Sequence, residues 1–224
     1  KLQKLIHTKM KIDLHIHSRW SHDGISSIKD VIKRCLESGL DCIAITDHNT
    51  ITGALHAQQQ APFSVIVGEE IKTTSGDIIG LFLSKEIPEG LSLMDTILAI
   101  KNQGGLVSVP HPVDRLRRSA IGARALNDII SHVDIVEGFN SRTLFQKDNV
   151  KGVEIAAAHD ISITAVSDAH SISELGRTYV STRDCPVTPT GLQTALHSGN
   201  FVTHTIHPLK RLLPSFNRLR RLLG

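Results

Sequence analysis

The residues best suited to chemistry begin at Lys11-Ile12-Asp13-Leu14-His15-Ile16-His17, where Asp13, His15 and His17 alternate with Leu14 and Ile16. A period of two is strand geometry, so the polar side chains are expected on one face and the aliphatic ones on the other. Two imidazoles two positions apart on a strand can reach one cation, and a carboxylate beside them can orient a ring from behind. An edge strand with a wet histidine face would explain this stretch alone. The signature recurs, however. Thr46-Asp47-His48, Gly68-Glu69-Glu70, Pro110-His111-Pro112 and Ser167-Asp168-Ala169-His170 each follow an apolar run with the character of a buried strand.

The segments between these motifs supply the scaffold. Ser27 and Asp30 stand three apart in a capping-box pattern, an apolar stripe follows at Ile28, Val31, Ile32, Cys35 and Leu36, and Gly39 marks a helix end. Cys42 to Ile45 is a continuous apolar run, as in a parallel strand covered on both faces. Ser75-Gly76-Asp77 is a turn signal between β-rich flanks, which predicts a hairpin over 73–85. Helices are expected over 51–60, 91–103, 123–131, 148–159 and 190–198, and strands over 64–68, 106–109, 133–136, 161–166 and 176–180. This β-α succession, repeated about seven times, is the pattern of an α/β barrel or a doubly wound sheet.

In parallel α/β folds the ligand site lies at the carboxyl ends of the strands. His15 and His17 close the first strand, His48 the second, Glu70 the third, His111 the fourth, and Asp168 with His170 the sixth. Imidazole and carboxylate without thiolate suit Zn²⁺, Mn²⁺ or Fe²⁺ better than Ca²⁺ or Mg²⁺ alone. Seven such donors exceed what one tetrahedral ion takes, so two or more ions bridged by a carboxylate are expected. A centre of that kind generates hydroxide near neutral pH and clamps the oxygens of an in-line phosphoryl displacement.

Length and composition bound the remainder. The chain has 224 residues, enough for one sizeable α/β core, expected over 1–207. No apolar stretch approaches the roughly 20 residues of a membrane span. The opening Lys1 to His7 has too short an apolar core for a secretory signal. Cys35, Cys42 and Cys185 follow no metal or redox spacing and read as reduced thiols of a cytoplasmic protein. The net charge of +3 conceals a basic tail over 208–224, with Lys210, Arg211, Arg218, Arg220 and Arg221 and no acid. Removing those five from the 25 basic residues leaves 20 against 22 acidic ones, so overall charge is a poor argument for nucleic-acid binding. The tail reads as an amphipathic segment for a partner or anionic lipid, or more simply as a basic helix docked on its own domain.

Taken in order, Asp13-Leu14-His15-Ile16-His17, Thr46-Asp47-His48, Gly68-Glu69-Glu70, His111-Pro112 and Ser167-Asp168-Ala169-His170 resemble the PHP (polymerase and histidinol phosphatase) superfamily, from about Lys11 to Val180. The resemblance implies a distorted (β/α)7 barrel whose trinuclear centre hydrolyses phosphate esters. It implies that His15, His17, Glu70 and Asp168 hold one ion, and that Glu70 bridges to a second bound by His111. Asp23, His48 and His170 would hold the third, with His22 the alternative to Asp23. Members often add a His or Cys after the fifth strand, but no His lies between His132 and His159 here. Glu137, Asn140 or a water would substitute, giving two or three divalent ions per chain. Asp23, His48 and Arg177 are the expected catalytic residues, and Arg142 and Arg177 the phosphate contacts, with Arg115 and Arg118 less favoured. The implied substrate is a small phosphomonoester, a nucleotide or an oligonucleotide end, with nucleic acid thus open as a partner. Two competitors remain: an amidohydrolase-like barrel cleaving C–N bonds, and a metal-binding module without turnover.

Overall fold

The computed structural model describes residues 9–212, so the basic tail expected over 208–224 lies outside the described residues beyond Leu212. The capping pattern at the first helix is realised directly. In α1 (Ile28–Ser38), Ser27 Oγ accepts the Asp30 N–H at 3.2 Å and donates to the Asp30 carboxylate at 2.6 Å. Gly39 ends the helix in the left-handed conformation, which costs a residue without Cβ nothing. Ile28, Val31, Ile32 and Cys35 are buried as the stripe requires, whereas Leu36 faces solvent.

Among the described residues nine strands form one sheet: β1 (Lys9–Ile16), β2 (Cys42–Ile45), β3 (Ser64–Thr73), β4 (Gly76–Leu81), β5 (Leu106–Val109), β6 (Ile135–Asn140), β7 (Ser162–Val166), β8 (Tyr179–Arg183) and β9 (Asn200–Val202). Their order is β7-β6-β5-β4-β3-β2-β1-β8-β9. β1, β2 and β3 run parallel, as do β5, β6 and β7. Between these groups β4 forms the expected hairpin with β3 and pairs antiparallel with β5 as well. Reversing direction twice leaves β5 pointing the same way as β3. All six parallel strands therefore bring their carboxyl ends to one rim.

Beyond the strand ends, Ile16 bridges to Ala169, and the His17 N–H donates to the Ala169 carbonyl at 2.8 Å. This contact joins the end of β1 to the segment after β7 and nearly closes the sheet. The result is a distorted α/β barrel with β8 and β9 appended along β1.

The remaining helices are α2 (Thr52–Gln60), α3 (Leu93–Lys101), α4 (Gly122–Ile129), α5 (Gln146–Ala158) and α6 (Pro189–His197). Helices α1 to α5 pack on the sheet through one apolar layer, and α6 closes the opposite face with Leu192 and Leu196. Among the described residues no helix is long and apolar enough to cross a membrane.

The strict alternation expected along β1 does not hold to its end. Register with β2 shifts between Asp13 and Ile16, and Leu14 and Ile16 enter different apolar layers. Asp13 is consequently drawn away from the ring it was expected to orient. Its carboxylate accepts the Ser167 and His15 N–H groups at 3.1 and 3.4 Å.

Cys35 and Cys42 lie in these apolar layers, and burial pushes both thiols up to about 12. The reactive thiolate is thus suppressed at pH 8. A disulfide-exchange reagent is expected to modify only the partly exposed Cys185 in the native protein and all three cysteines in denaturant. Rapid native labelling of three thiols would contradict this packing.

Candidate metal centre

At the end of β1 the Nε2 atoms of His15 and His17 stand 2.9 Å apart. His15 Nδ1 donates to Glu137 Oε1 at 2.6 Å, which turns Nε2 toward its neighbour. Glu70 Oε2 is 3.2 Å from both Nε2 atoms, and Asp168 Oδ1 is 3.6 and 3.5 Å from the same two. Four ligand atoms, each about 2.1 Å from a tetrahedral ion, must lie about 3.4 Å from one another. The separation of the two ring nitrogens, and their distances from the Glu70 and Asp168 oxygens, run from 2.9 to 3.6 Å around that value, and His15, His17 and Glu70 form a set able to hold an ion. Burial disfavours charge on the two rings, but Asp168 and Glu70 outweigh it and raise both above the usual imidazole range, so a cation in their midst would take the place of those protons. The residues fit a metal.

A second group adjoins the first. Asp23 Oδ2 lies 3.1 Å from His170 Nε2 and 3.5 Å from His48 Nε2. His170 Nδ1 donates to the Asp168 carbonyl at 2.9 Å, so its Nε2 is the free lone pair. These three residues, together with His17, form a set able to hold an ion. Asp23 is aimed by a tight loop: Ser21 Oγ donates to its Oδ1 at 2.7 Å, and Gly24 presses on the chain behind it. A Cβ at Gly24 would lie 2.1 Å from the Ser18 carbonyl oxygen, so glycine is required there. The His22 side chain is about half exposed, with its Nε2 3.9 Å from Asp23 Oδ2.

The other oxygen of Glu70, Oε1, is 3.2 Å from His111 Nε2. Asp77 on β4 also groups with Glu70 and His48. Its position between turn residues gave no sign of this in the sequence. Asn140, which ends β6, instead donates through Nδ2 to Glu137 Oε2 at 2.8 Å and Asp168 Oδ2 at 3.1 Å.

Two of the clustered residues hold uncommon backbone conformations, with φ of 28° at His111 and 50° at Asp168. Non-glycine residues are uncommon in that region and remain there only when neighbours hold them. For His111 the holding group is Glu137, whose Oε2 accepts the His111 N–H at 2.7 Å. Glu137 thus orients His15, anchors His111 and fixes Asn140 at once. In the sequence it stands only as a substitute ligand, although it follows the apolar run 133–136 as the other motifs follow theirs.

The electrostatics are those of ionised carboxylates held among imidazoles. Burial opposes the charge on Asp168, but Arg117 and His15 outweigh it and hold the carboxyl well below its usual range. For Glu70 burial is likewise outweighed, here by His48 and His15. Arg117, which the sequence reading passed over within its loop, donates from Nη2 to Asp168 Oδ2 at 2.6 Å.

The centre opens into a cavity of about 620 Å³ bordered by His17, Asp23, Glu70, Arg117, Arg142 and Arg211. The structure brings His15, His17, Asp23, His48, Glu70, His111, Asp168 and His170 into one cluster. The arginines are distributed differently. Arg142 is buried and spends its guanidinium on Glu174 at 3.0 Å and on the Lys210 and Arg211 carbonyls. Arg177 is exposed, does not border the cavity, and lies with Nη1 3.3 Å from His204 Nε2. Arg115 pairs with Asp148, while Arg118 borders the cavity.

An α/β barrel with histidines and carboxylates converging at the carboxyl rim is an arrangement able to hold metal ions at the ends of its strands. The PHP domain model matches residues 13–184, and the chain belongs to the PHP domain family. An uncharacterized protein of Methanocaldococcus jannaschii is 37% identical over 174 residues, covering 76% of this chain and 70% of that protein. A 5'-3' exoribonuclease of Haemophilus influenzae is 30% identical over 130 residues, 53% of this chain and 46% of the relative. Among solved structures, a two-domain protein from Bacteroides vulgatus containing a predicted PHP-like metal-dependent phosphoesterase superposes with a TM-score of 0.72. It is 21% identical and matches 94% of this chain and 70% of its own.

Replacing the carboxylate behind a histidine ligand typically costs 10- to 100-fold in metal affinity. Glu137→Gln is therefore expected to weaken Mn²⁺ binding by roughly 10-fold or more, read by calorimetric titration. Chelation should lower the melting temperature of the wild type, and Mn²⁺ should restore it, because an ion that binds only the folded state stabilises it. Melting curves indifferent to chelator and metal would overturn the fit.

Proposed function

We propose that this chain hydrolyses phosphate esters of nucleotides or oligonucleotide ends with the help of divalent ions at the barrel rim. His15, His17, Glu70 and Asp168 would hold one ion and Asp23, His48 and His170 another. Glu70, His111 and Asp77 would bound a third position. When bound, such cations lower the pKa of water and neutralise charge on phosphoryl oxygens. The observation that carries the reading is the convergence of Glu70 and Asp168 oxygens on the His15 and His17 Nε2 atoms, at separations of 2.9 to 3.6 Å that suit donors to a shared cation.

The chain's own side chains would do the positioning. Arg117 locks the outer oxygen of Asp168 and presents its cation at the cavity wall, where it would meet the scissile phosphate. His15 and His170 each have one ring nitrogen committed to a hydrogen bond, which keeps the other turned toward the centre. The reading gives Arg177 no part, and Arg142 a part in holding structure rather than in meeting substrate. A nucleic-acid substrate is supported by the exoribonuclease among the relatives, which is matched over less than half its length.

The test is turnover of p-nitrophenyl phosphate and short oligonucleotides in Mn²⁺. His17→Ala and Asp168→Ala each remove several kcal/mol of charge stabilisation, which is a loss of about 100-fold or more. Both variants should also carry less metal by elemental analysis while keeping the circular dichroism of the wild type. Full turnover in either one would sink the assignment.

A further inference from the structure

The segment Pro208–Leu212 forms a short 3-10 helix against the cavity, and Pro208 and Arg211 border the cavity directly. Several independent contacts fix it there. Buried Ile206 donates its N–H to the Ser141 carbonyl at 3.0 Å, and Lys210 Nζ donates to Ser173 Oγ at 3.1 Å. Arg142, itself neutralised by Glu174, donates to the Arg211 carbonyl at 3.0 Å. Arg211 Nη2 in turn donates to the Thr143 carbonyl at 2.8 Å.

The charges around this wall are unequal. Arg117 is met by Asp168 and Asp114, and Arg142 by Glu174. Among the described residues Arg211 hydrogen-bonds through Nη2 to a main-chain carbonyl, and its buried Nε has no partner. Burial, then repulsion from Arg117, weakens its hold on its proton. A buried donor left without an acceptor costs free energy unless a ligand satisfies it.

We infer that Arg211 is a specificity-determining residue, recognising a phosphate of the substrate other than the one being cleaved. This rests on the phosphoesterase reading. Arg117, bonded to Asp168, faces the scissile group; Arg211 enters from a different element and serves the neighbouring charge. Esters with a second phosphoryl group next to the scissile one are the preferred class. Arg142 acts as a positioning residue, holding Pro208–Leu212 in place.

The probes are the dinucleotide TpT and its 5'-phosphorylated form pTpT, used in Mn²⁺ as competitors of p-nitrophenyl phosphate hydrolysis. Wild-type enzyme is expected to bind pTpT at least about 10-fold tighter than TpT, consistent with one charge-assisted hydrogen-bonded contact. Arg211→Gln should erase that ratio by weakening pTpT alone, with kcat for p-nitrophenyl phosphate within about twofold of wild type; Arg211→Lys should recover part of it. Arg142→Lys, which disturbs the anchor, should lower the ratio without abolishing turnover. An unchanged ratio in Arg211→Gln, or equal weakening of both competitors, overturns the role of Arg211 while leaving the phosphoesterase reading intact. If neither p-nitrophenyl phosphate nor short oligonucleotides are hydrolysed, the phosphoesterase reading fails, and calorimetric titration of both dinucleotides into the Mn²⁺-loaded protein decides the Arg211 role by the same ratio.

Discussion

Glu70 and Asp168 are ionised carboxylates held almost entirely out of water, and the architecture of the rim answers to that constraint. A buried charge persists only when opposite charges and hydrogen bonds replace the solvent it has lost. Imidazoles from four strand ends, a guanidinium and an amide perform that replacement here. The arrangement is rich in carboxylate oxygens around His15 and His17, whose Nε2 atoms face them. A cation is the group that completes such a set, and metal binding follows from charge balance as much as from donor type.

Glu137 is the structural counterpart of that constraint. One carboxylate takes the His15 ring proton, the His111 main-chain proton and an Asn140 amide proton. It thereby couples β1, the loop after β5, and β6. The strained backbone at His111 is held by the same residue that orients His15 at the end of β1. Rigidity at the centre is thus obtained by sharing one acceptor among several elements, which fixes their relative positions more tightly than separate pairs would.

Much of this was legible in the amino-acid order because strand ends in a parallel barrel meet at one rim, and polar residues after apolar runs mark those ends. His15, His17, His48, Glu70, His111, Asp168 and His170 were found that way, and the capping of α1 was read from Ser27 and Asp30. What stayed hidden depends on partners far apart in the chain or on local departures from regularity. The register shift in β1 turned Asp13 to Ser167, leaving Glu137 to orient His15 from 122 positions away. Arg117 looked like one of several loop arginines, and only its contact with Asp168 distinguishes it. Arg142 and Arg177 carried the right chemistry near the right strands. Yet Glu174 satisfies the first, and the second lies on the exposed surface.

The same reasoning bears on where catalysis and selectivity reside. The ligand rim is built by strands, whose ends the sheet fixes, and it tolerates little variation because every donor touches another. The wall carrying Arg211 comes from a short helix near the last described residues, tied down by a few hydrogen bonds and one buried aliphatic side chain. Such a segment can change its side chains, or its anchor at Arg142, without displacing a single ligand of the centre. Barrel folds vary their substrates through rim elements while keeping the core chemistry. The division seen here, a rigid donor cluster faced by a lightly held basic wall, is the physical form that separation takes.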